Sequence, residues 1–269
     1  MADGNDAPKG AIARFLAAPA DSVGKTVFVA VALCLVASMV VSAAAVALRP
    51  LQQVNALRDR QINILQVAGI YDPTADVAES FAAFEPHVLE LATGEFTDEF
   101  DPATFDQRAA ADDPALSIEL DDDPAGIGRQ SRFVTVYILR DDAGEIERVI
   151  LPIHGYGLWS TLYGYIALEA DGNTIYGLQF YEHAETPGLG AEVDNPRWRA
   201  EWRGTLLADE NGELQISVSK TVPPAGAEYH IDALAGATLT TAGVNNLVNF
   251  WMGESGYGPF LDRLKAGDV

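Results

Sequence analysis

Asp232-Ala233-Leu234-Ala235-Gly236-Ala237-Thr238-Leu239-Thr240-Thr241 is the stretch on which the reading of this chain turns. Just beyond it Val244, Leu247, Val248 and Trp251 recur at i, i+3, i+4 and i+7, which predicts a helix starting near Thr241 with that face buried. The small residues Ala235, Gly236 and Ala237 let the backbone pass close to a bulky ligand, and the hydroxyls of Thr238, Thr240 and Thr241 fall where the helix begins. Its first turn carries unpaired N–H groups and positive dipole character, which suits a phosphate. Two readings follow from these residues: a threonine N-cap, or a place to hold or covalently attach a phosphorylated cofactor.

Working upstream, two loops are shaped for a planar ligand. In Glu182-His183-Ala184-Glu185-Thr186-Pro187-Gly188-Leu189-Gly190, the Pro187-Gly188 pair predicts a turn, and Thr186 with neighbouring N–H groups offers polar contacts to a ring edge. In Gly155-Tyr156-Gly157-Leu158-Trp159-Ser160, the glycines permit tight turns and Ser160 supplies a hydroxyl. Trp159 reads either as an aromatic face for a ligand or as a core residue.

The loops punctuate a series of strands. Phe133–Leu139 and Ile146–Ile153 flank Asp141-Asp142-Ala143-Gly144, and Leu162–Leu168 and Thr174–Tyr181 flank Asp171-Gly172-Asn173, predicting two hairpins. A further strand is expected over Leu214–Val218 and a short helix over Pro196–Trp202. The fold class is α+β, with the terminal helix packed on a twisted antiparallel sheet.

Toward the N-terminus, Thr26–Leu48 is an uncharged run rich in Val, Ala and Leu, long enough to span a hydrocarbon layer of about 30 Å. A cleaved leader with Ala45-Val46-Ala47 as its processing site is the competing reading, but the run exceeds the usual h-region of about 7–15 residues. Lys9, Arg14 and Lys25 precede the run and Arg49, Arg58 and Arg60 follow it, so positive charge does not choose an orientation. Val54, Leu57, Gln61, Ile64, Leu65 and Ala68 then form one helical stripe, with Gly69 as its C-cap. The expected organisation is a tail over 1–25, a transmembrane helix over 26–48 and a stalk with the start of the soluble domain over 49–94. A solvated acidic insertion over 95–127 and the domain core over 128–269 complete it.

A formal net charge of −22 argues against a nucleic-acid partner, which needs basic surface, and reads as a solvated acidic face. Cys34 is the single cysteine, so neither an intramolecular disulfide nor a thiolate metal site can form. His87, His154, His183 and His230 are scattered without ligand spacing, no metal site is expected, and only His183 lies in a loop that borders the candidate site. No Walker loop and no Gly-x-Gly-x-x-Gly after a strand is present, so binding of NADH by this chain is not expected.

The Asp232–Thr241 stretch resembles the flavinylation motif Asp-x-x-(Ser/Thr)-Gly-Ala-(Ser/Thr)-x-Thr of the FMN-binding domain family, with Asp232, Gly236, Ala237, Thr238 and Thr240 in register. Ala235 departs from it, standing where the family usually has Ser or Thr. Gly-Leu-Trp-Ser-Thr-Leu-Tyr-Gly-Tyr from Gly157, Phe-Tyr-Glu-His-Ala-Glu-Thr-Pro-Gly-Leu-Gly-Ala-Glu from Phe180 and Gln61–Gly69 resemble segments of the C-type subunits of the sodium-translocating NADH:quinone reductases. The resemblance implies FMN joined by a phosphoester to Thr240, with Gly236, Ala237, Thr238 and Thr241 on the phosphate side. It places Leu158, Trp159, Ser160, Thr186, Gly188 and Leu189 along the ring.

It also implies an electron carrier with no substrate site and no catalytic residue of its own, one of six subunits in a complex of a bacterial inner membrane. That complex oxidises NADH, reduces ubiquinone and moves Na⁺. The soluble domain would lie on the periplasmic side, the helix in the bilayer, and a flavin transferase acting on FAD would attach the cofactor. The G-type subunit of the related ferredoxin:NAD complexes shares the threonine motif and is the nearer alternative. A flavin-free anchored scaffold is the more distant one.

Overall fold

The computed structural model of the chain describes residues 22–269 together with Gly10, Phe15, Ala17 and Pro19, so most of the expected tail over 1–25 lies outside the described residues. The chain divides into two compact units, Met1–Leu57 and Arg58–Val269. A single helix, α1 (Val23–Val67), crosses the division. Its apolar part has a mean hydropathy of 2.6 and is long enough to cross a membrane. The bilayer span and the stalk, read from sequence as separate segments, are thus continuous helix through Pro50. That proline forfeits one backbone bond and presses on the preceding turn, but both flanks are strong helix formers and the helix is not interrupted.

Within the first unit the large apolar side chains from Val27 to Val46 are exposed. Within the second, α1 ends where Gly69 takes a φ of 74°, the left-handed cap expected of it. Of the expected stripe, Ile64, Leu65 and Ala68 are buried, whereas Val54 and Leu57 are exposed.

The second unit is built on a six-stranded sheet in the order β2 (Glu95–Thr97), β1 (Phe84–Glu90), β5 (Phe133–Arg140), β6 (Ile146–Tyr156), β7 (Thr161–Glu169) and β8 (Ile175–Glu182). Every neighbouring pair is antiparallel. Both hairpins expected from sequence are present, and β1 and β2 add the far edge. The short helix α2 (Val77–Phe81), capped by the Asp76 carboxylate, leads into β1.

Strand β5 is buried at seven successive positions because the sheet is covered on both sides. Its residues alternate between two clusters, as strand geometry requires. Val134, Val136 and Ile138 join Val149, Leu151, Ile166, Val244, Leu247, Val248 and Trp251 in one. Tyr137 and Leu139 join Ile64, Leu65, Val67, Ile150, Tyr165 and Ala167 in the other. The last helices, α5 (Thr238–Met252) and α6 (Gly258–Ala266), therefore cover one face, and the end of α1 covers the opposite face. A buried amide joins that end to the sheet, with Gln179 Nε2 donating to Asn63 Oδ1 and Gln66 Oε1, each at 2.7 Å, while Arg199 Nη2 donates to Gln179 Oε1.

The acidic stretch 95–127 contains β2, α3 (Gln107–Asp112) and β3 (Ser117–Glu119), which pairs with β4 (Arg129–Ser131). It is partly integrated with the core: Ala125 is buried, and its carbonyl accepts the Tyr156 N–H at 2.7 Å. The Asp123 carboxylate accepts the Ile127 and Gly128 N–H groups, so one member of the Asp121–Asp123 run closes a turn. The short helix expected near Pro196 is α4 (Pro196–Glu201). The strand expected over Leu214–Val218 is displaced to β9 (Ser217–Ser219), which pairs in parallel with β10 (His230–Asp232).

Candidate functional site

The Asp232–Thr241 stretch runs off β10 into a tight turn closed by the Ala237 N–H on the Leu234 carbonyl. Gly236 takes the third position of that turn with φ 76°, where a side chain would be strained. Helix α5 then begins at Thr238, three residues ahead of the start expected from periodicity. Thr241 is the reason for the difference. Its hydroxyl donates to the Ala237 carbonyl at 2.9 Å and accepts the Leu234 N–H at 3.1 Å, which fastens the turn to the first helical turn.

No threonine caps this helix: its N-cap position is Ala237, with no side-chain hydrogen bond. The cap reading of the stretch is accordingly not realised, and the N–H groups of the first turn are left to other acceptors.

Thr240 is wholly buried, 0% exposed, and its hydroxyl donates to Glu185 Oε2 at 2.6 Å. The other carboxylate oxygen, Oε1, accepts the N–H groups of Leu158 and Trp159, each at 2.9 Å. One side chain thus joins the helix N-terminus to both loops singled out from sequence. Ser160 strengthens the junction by accepting the Ala184 N–H at 2.7 Å. Burial pushes the Glu185 carboxyl up, but the Thr240 hydroxyl and the Trp159 and Leu158 N–H groups outweigh it and hold the group below its ordinary value. His183 sits behind Glu185, its Nδ1 accepting the Glu185 N–H at 3.2 Å and its Nε2 lying 2.9 Å from Asp194 Oδ2. That pattern calls for the Nε2–H tautomer.

Two glycines allow this closeness. A Cβ at Gly243 would stand 2.5 Å from the Tyr156 carbonyl oxygen, so only glycine lets α5 lie against the loop after β6. A Cβ at Gly190, which begins the 3₁₀ turn Gly190–Asp194, would stand 2.5 Å from Glu185 Oε2 and 2.6 Å from Thr240 Oγ1.

The remaining residues singled out from sequence fall on the rim. Trp159 is 64% exposed, which excludes the core reading, and Leu158, Leu189 and Leu239 are exposed beside it in sequence or on the facing segments. Leu189 reaches the turn, with Cδ2 3.1 Å from where a Gly236 Cβ would be. Thr186 closes the second loop, its carbonyl accepting the Leu189 and Ala191 N–H groups. Thr186 and Thr238 are exposed, Ala237 is buried, and Gly188, at φ 75°, faces open space. Thr241 is spent on the turn. Glu185 carries no signal of its role in the sequence, because its partners lie 26, 27 and 55 residues away. No group of three or more metal-ligating side chains occurs among the described residues.

The class is that of an FMN-binding domain behind a long apolar N-terminal helix: residues 157–253 match the model of the FMN-binding domain family. Among curated relatives, the C-type subunit of the Na(+)-translocating NADH-quinone reductase of Yersinia pestis is 48% identical over 92% of this chain and 95% of its own length. Its counterpart in Pseudomonas aeruginosa is 46% identical over 93% and 98%. The crystal structure of Shewanella oneidensis NqrC, at 35% identity, superposes with a TM-score of 0.73 over 79% of this chain and 99% of that one. The corresponding reductase subunit from Parabacteroides distasonis, at 28% identity, gives 0.62 over 80% and 96%. The chain belongs to the family of C-type subunits of the Na⁺-translocating NADH-quinone reductases, which are oxidoreductase complexes.

Proposed function

We propose that this chain carries FMN through a phosphoester to Thr240 and serves as an electron relay inside a Na⁺-translocating NADH:ubiquinone reductase. The observation that carries the reading is the convergence on Thr240: its hydroxyl lies in the first turn of a helix without a side-chain cap, joined through Glu185 to the two loops that the family resemblance puts along the flavin. The residues present fit that cofactor. Gly236 and the uncapped N–H groups of α5 suit a phosphate, and a helix end contributes on the order of 0.3–2 kcal/mol to such an anion. Trp159, Leu158, Leu189 and Leu239 expose apolar surface that a flat ring would cover, a use for side chains otherwise costly to leave in water.

When bound, FMN supplies one- and two-electron transfer, and the protein supplies position and electrostatics. Thr240 would hold the phosphate, Ser160 and Thr186 would line the polar edge, and Gly236, Ala237 and Thr238 would form the phosphate-side loop. An ester tether also removes the dissociation that dilution imposes on a reversibly bound group. The partners in this reading are the other subunits of the complex, a flavin transferase and the bilayer around 26–48, with the soluble domain on the periplasmic side.

The test is peptide mass mapping of native protein, supported by fluorescence in a denaturing gel. Wild-type protein is expected to fluoresce and to carry FMN on the peptide holding Thr240, and Thr240→Val to do neither. Fluorescence retained in Thr240→Val would move the tether to another hydroxyl, and an unmodified native peptide would end the covalent reading. Protease added to intact spheroplasts should cleave the soluble domain; cleavage only after lysis would put the domain in the cytoplasm.

A further inference from the structure

We propose that Glu185 is the proton acceptor for the Thr240 hydroxyl when the flavin is attached, a role that rests on the covalent reading above. The geometry is that of a positioned base. Thr240 Oγ1 and Glu185 Oε2 are 2.6 Å apart, and the two residues are 0% and 5% exposed. Oε1 is pinned by two backbone N–H groups, which leaves Oε2 turned to the hydroxyl. The Glu185 backbone is itself held by His183, which leans on Asp194. No lysine or arginine forms an ion pair with Glu185 among the described residues, so the carboxylate is not there to neutralise a cation. The bonds that lower its pKa keep it ionised at neutral pH, the form that can take a proton.

The threonine hydroxyl is a weak nucleophile at its own pKa and needs an adjacent base. In the transfer step Thr240 Oγ1 forms a bond to the flavin-side phosphorus of FAD presented by the transferase. The bond from that phosphorus to the bridging oxygen breaks, and AMP leaves with the bridging oxygen and its electron pair. The proton on Oγ1 passes to Glu185 Oε2 and on to solvent, and nothing is oxidised or reduced. A carboxylate that takes the proton of an acceptor hydroxyl is the arrangement protein kinases use for phosphoryl transfer. Thr238 and Leu239 beside Thr240 are exposed while Thr240 is not, so the transfer step requires the first turn of α5 to open toward the transferase.

The experiment uses the full chain in detergent with a flavin transferase and FAD, following intact mass with time for wild type, E185Q, E185D and T240V. E185Q keeps the size and an acceptor for the two N–H groups but cannot take the proton. It is expected to gain flavin at least ~100-fold more slowly at neutral pH, the lower end for loss of a general base. The deficit should narrow as pH rises and hydroxide replaces the base, and E185D, which keeps the carboxylate, should fall between. E185Q modified as fast as wild type, or slowed equally at every pH, would overturn the assignment. Near-UV circular dichroism reports whether E185Q folds; if it does not, E185D decides, and a folded E185D that gains flavin as fast as wild type, or no faster than T240V, overturns the proposal. Wild type that gains no mass, or T240V that does, overturns the covalent reading itself and this inference with it, an outcome distinct from a fast E185Q.

Discussion

Gly243→Ala sets two effects of opposite sign against each other. Position 243 is inside α5, where alanine is favoured over glycine by about 1 kcal/mol on helix propensity alone. The new methyl would, however, stand 2.5 Å from the Tyr156 carbonyl oxygen and 3.0 Å from the Gly157 Cα. That is roughly an ångström inside ordinary contact. Both obstacles are backbone, so no rotamer relieves them and the helix must retreat from the β6–β7 loop. Overpacking of this kind costs about 1–3 kcal/mol. Retreat of the first turn also strains the Thr240–Glu185 bond, a charge-assisted contact worth roughly 1.5–3 kcal/mol.

The net expectation is a loss of about 2–4 kcal/mol, which at ~2–4 °C per kcal/mol for a domain of this size lowers Tm by about 4–16 °C. Thermal unfolding in detergent followed by circular dichroism measures it. Ala242→Gly, at the exposed neighbouring position, is the control and should lose only about 1 kcal/mol. A Gly243→Ala protein as stable as wild type or more so would refute the claim that glycine is required for the close approach.

Other perturbations reach other parts of the fold. Gln179→Leu strips the buried bonds to Asn63, Gln66 and Arg199 and leaves their polar groups unpaired, at a cost of about 2–4 kcal/mol; hydrogen exchange over residues 60–68 should quicken. Arg108→Ala removes the pair to Glu182 at 2.8 Å and the guanidinium stacked 3.5 Å over Tyr163, an exposed arrangement whose loss should cost about 1 kcal/mol or less in urea unfolding. His154, stacked on Tyr163 and in tilted contact with Trp251, is pushed down to about 4, first by burial and then by Arg108, with Asp123 opposing. Its folded pKa lies below the free value of 6.5, so its contribution to stability is complete above about 6.5 and is lost as pH falls through 4. Unfolding free energies measured across that range should fall less steeply in His154→Phe than in wild type.

The parts of the fold readable from sequence are those whose physics is local. The β5–β6 and β7–β8 hairpins show β-branched and aromatic runs on either side of Asp-Asp-Ala-Gly and Asp-Gly-Asn turns, and the positions of Val244, Leu247, Val248 and Trp251 reveal α5 within a turn of its start. Strand β1 is hidden because Pro86 and His87 interrupt its apolar pattern, and β2 is only three residues long. Pro50 lies where the bilayer run and the stalk stripe divide in the sequence, yet the helix runs through it. At the site, the motif residues stand out in the sequence, but Trp159 is ambiguous there because an aromatic beside glycines serves a core and a rim equally well. Glu185 is silent because a carboxylate in a loop shows its importance only when tertiary structure brings distant donors to it.

The sheet is clamped from both sides by unlike elements: α5 on one face, the tail end of α1 on the other, with β5, β6 and β7 common to both. Those three strands therefore form a common floor under the end of α1 and under the helix that bears Thr240. Moving either the end of α1 or α5 would therefore disturb side chains packed on the same strands.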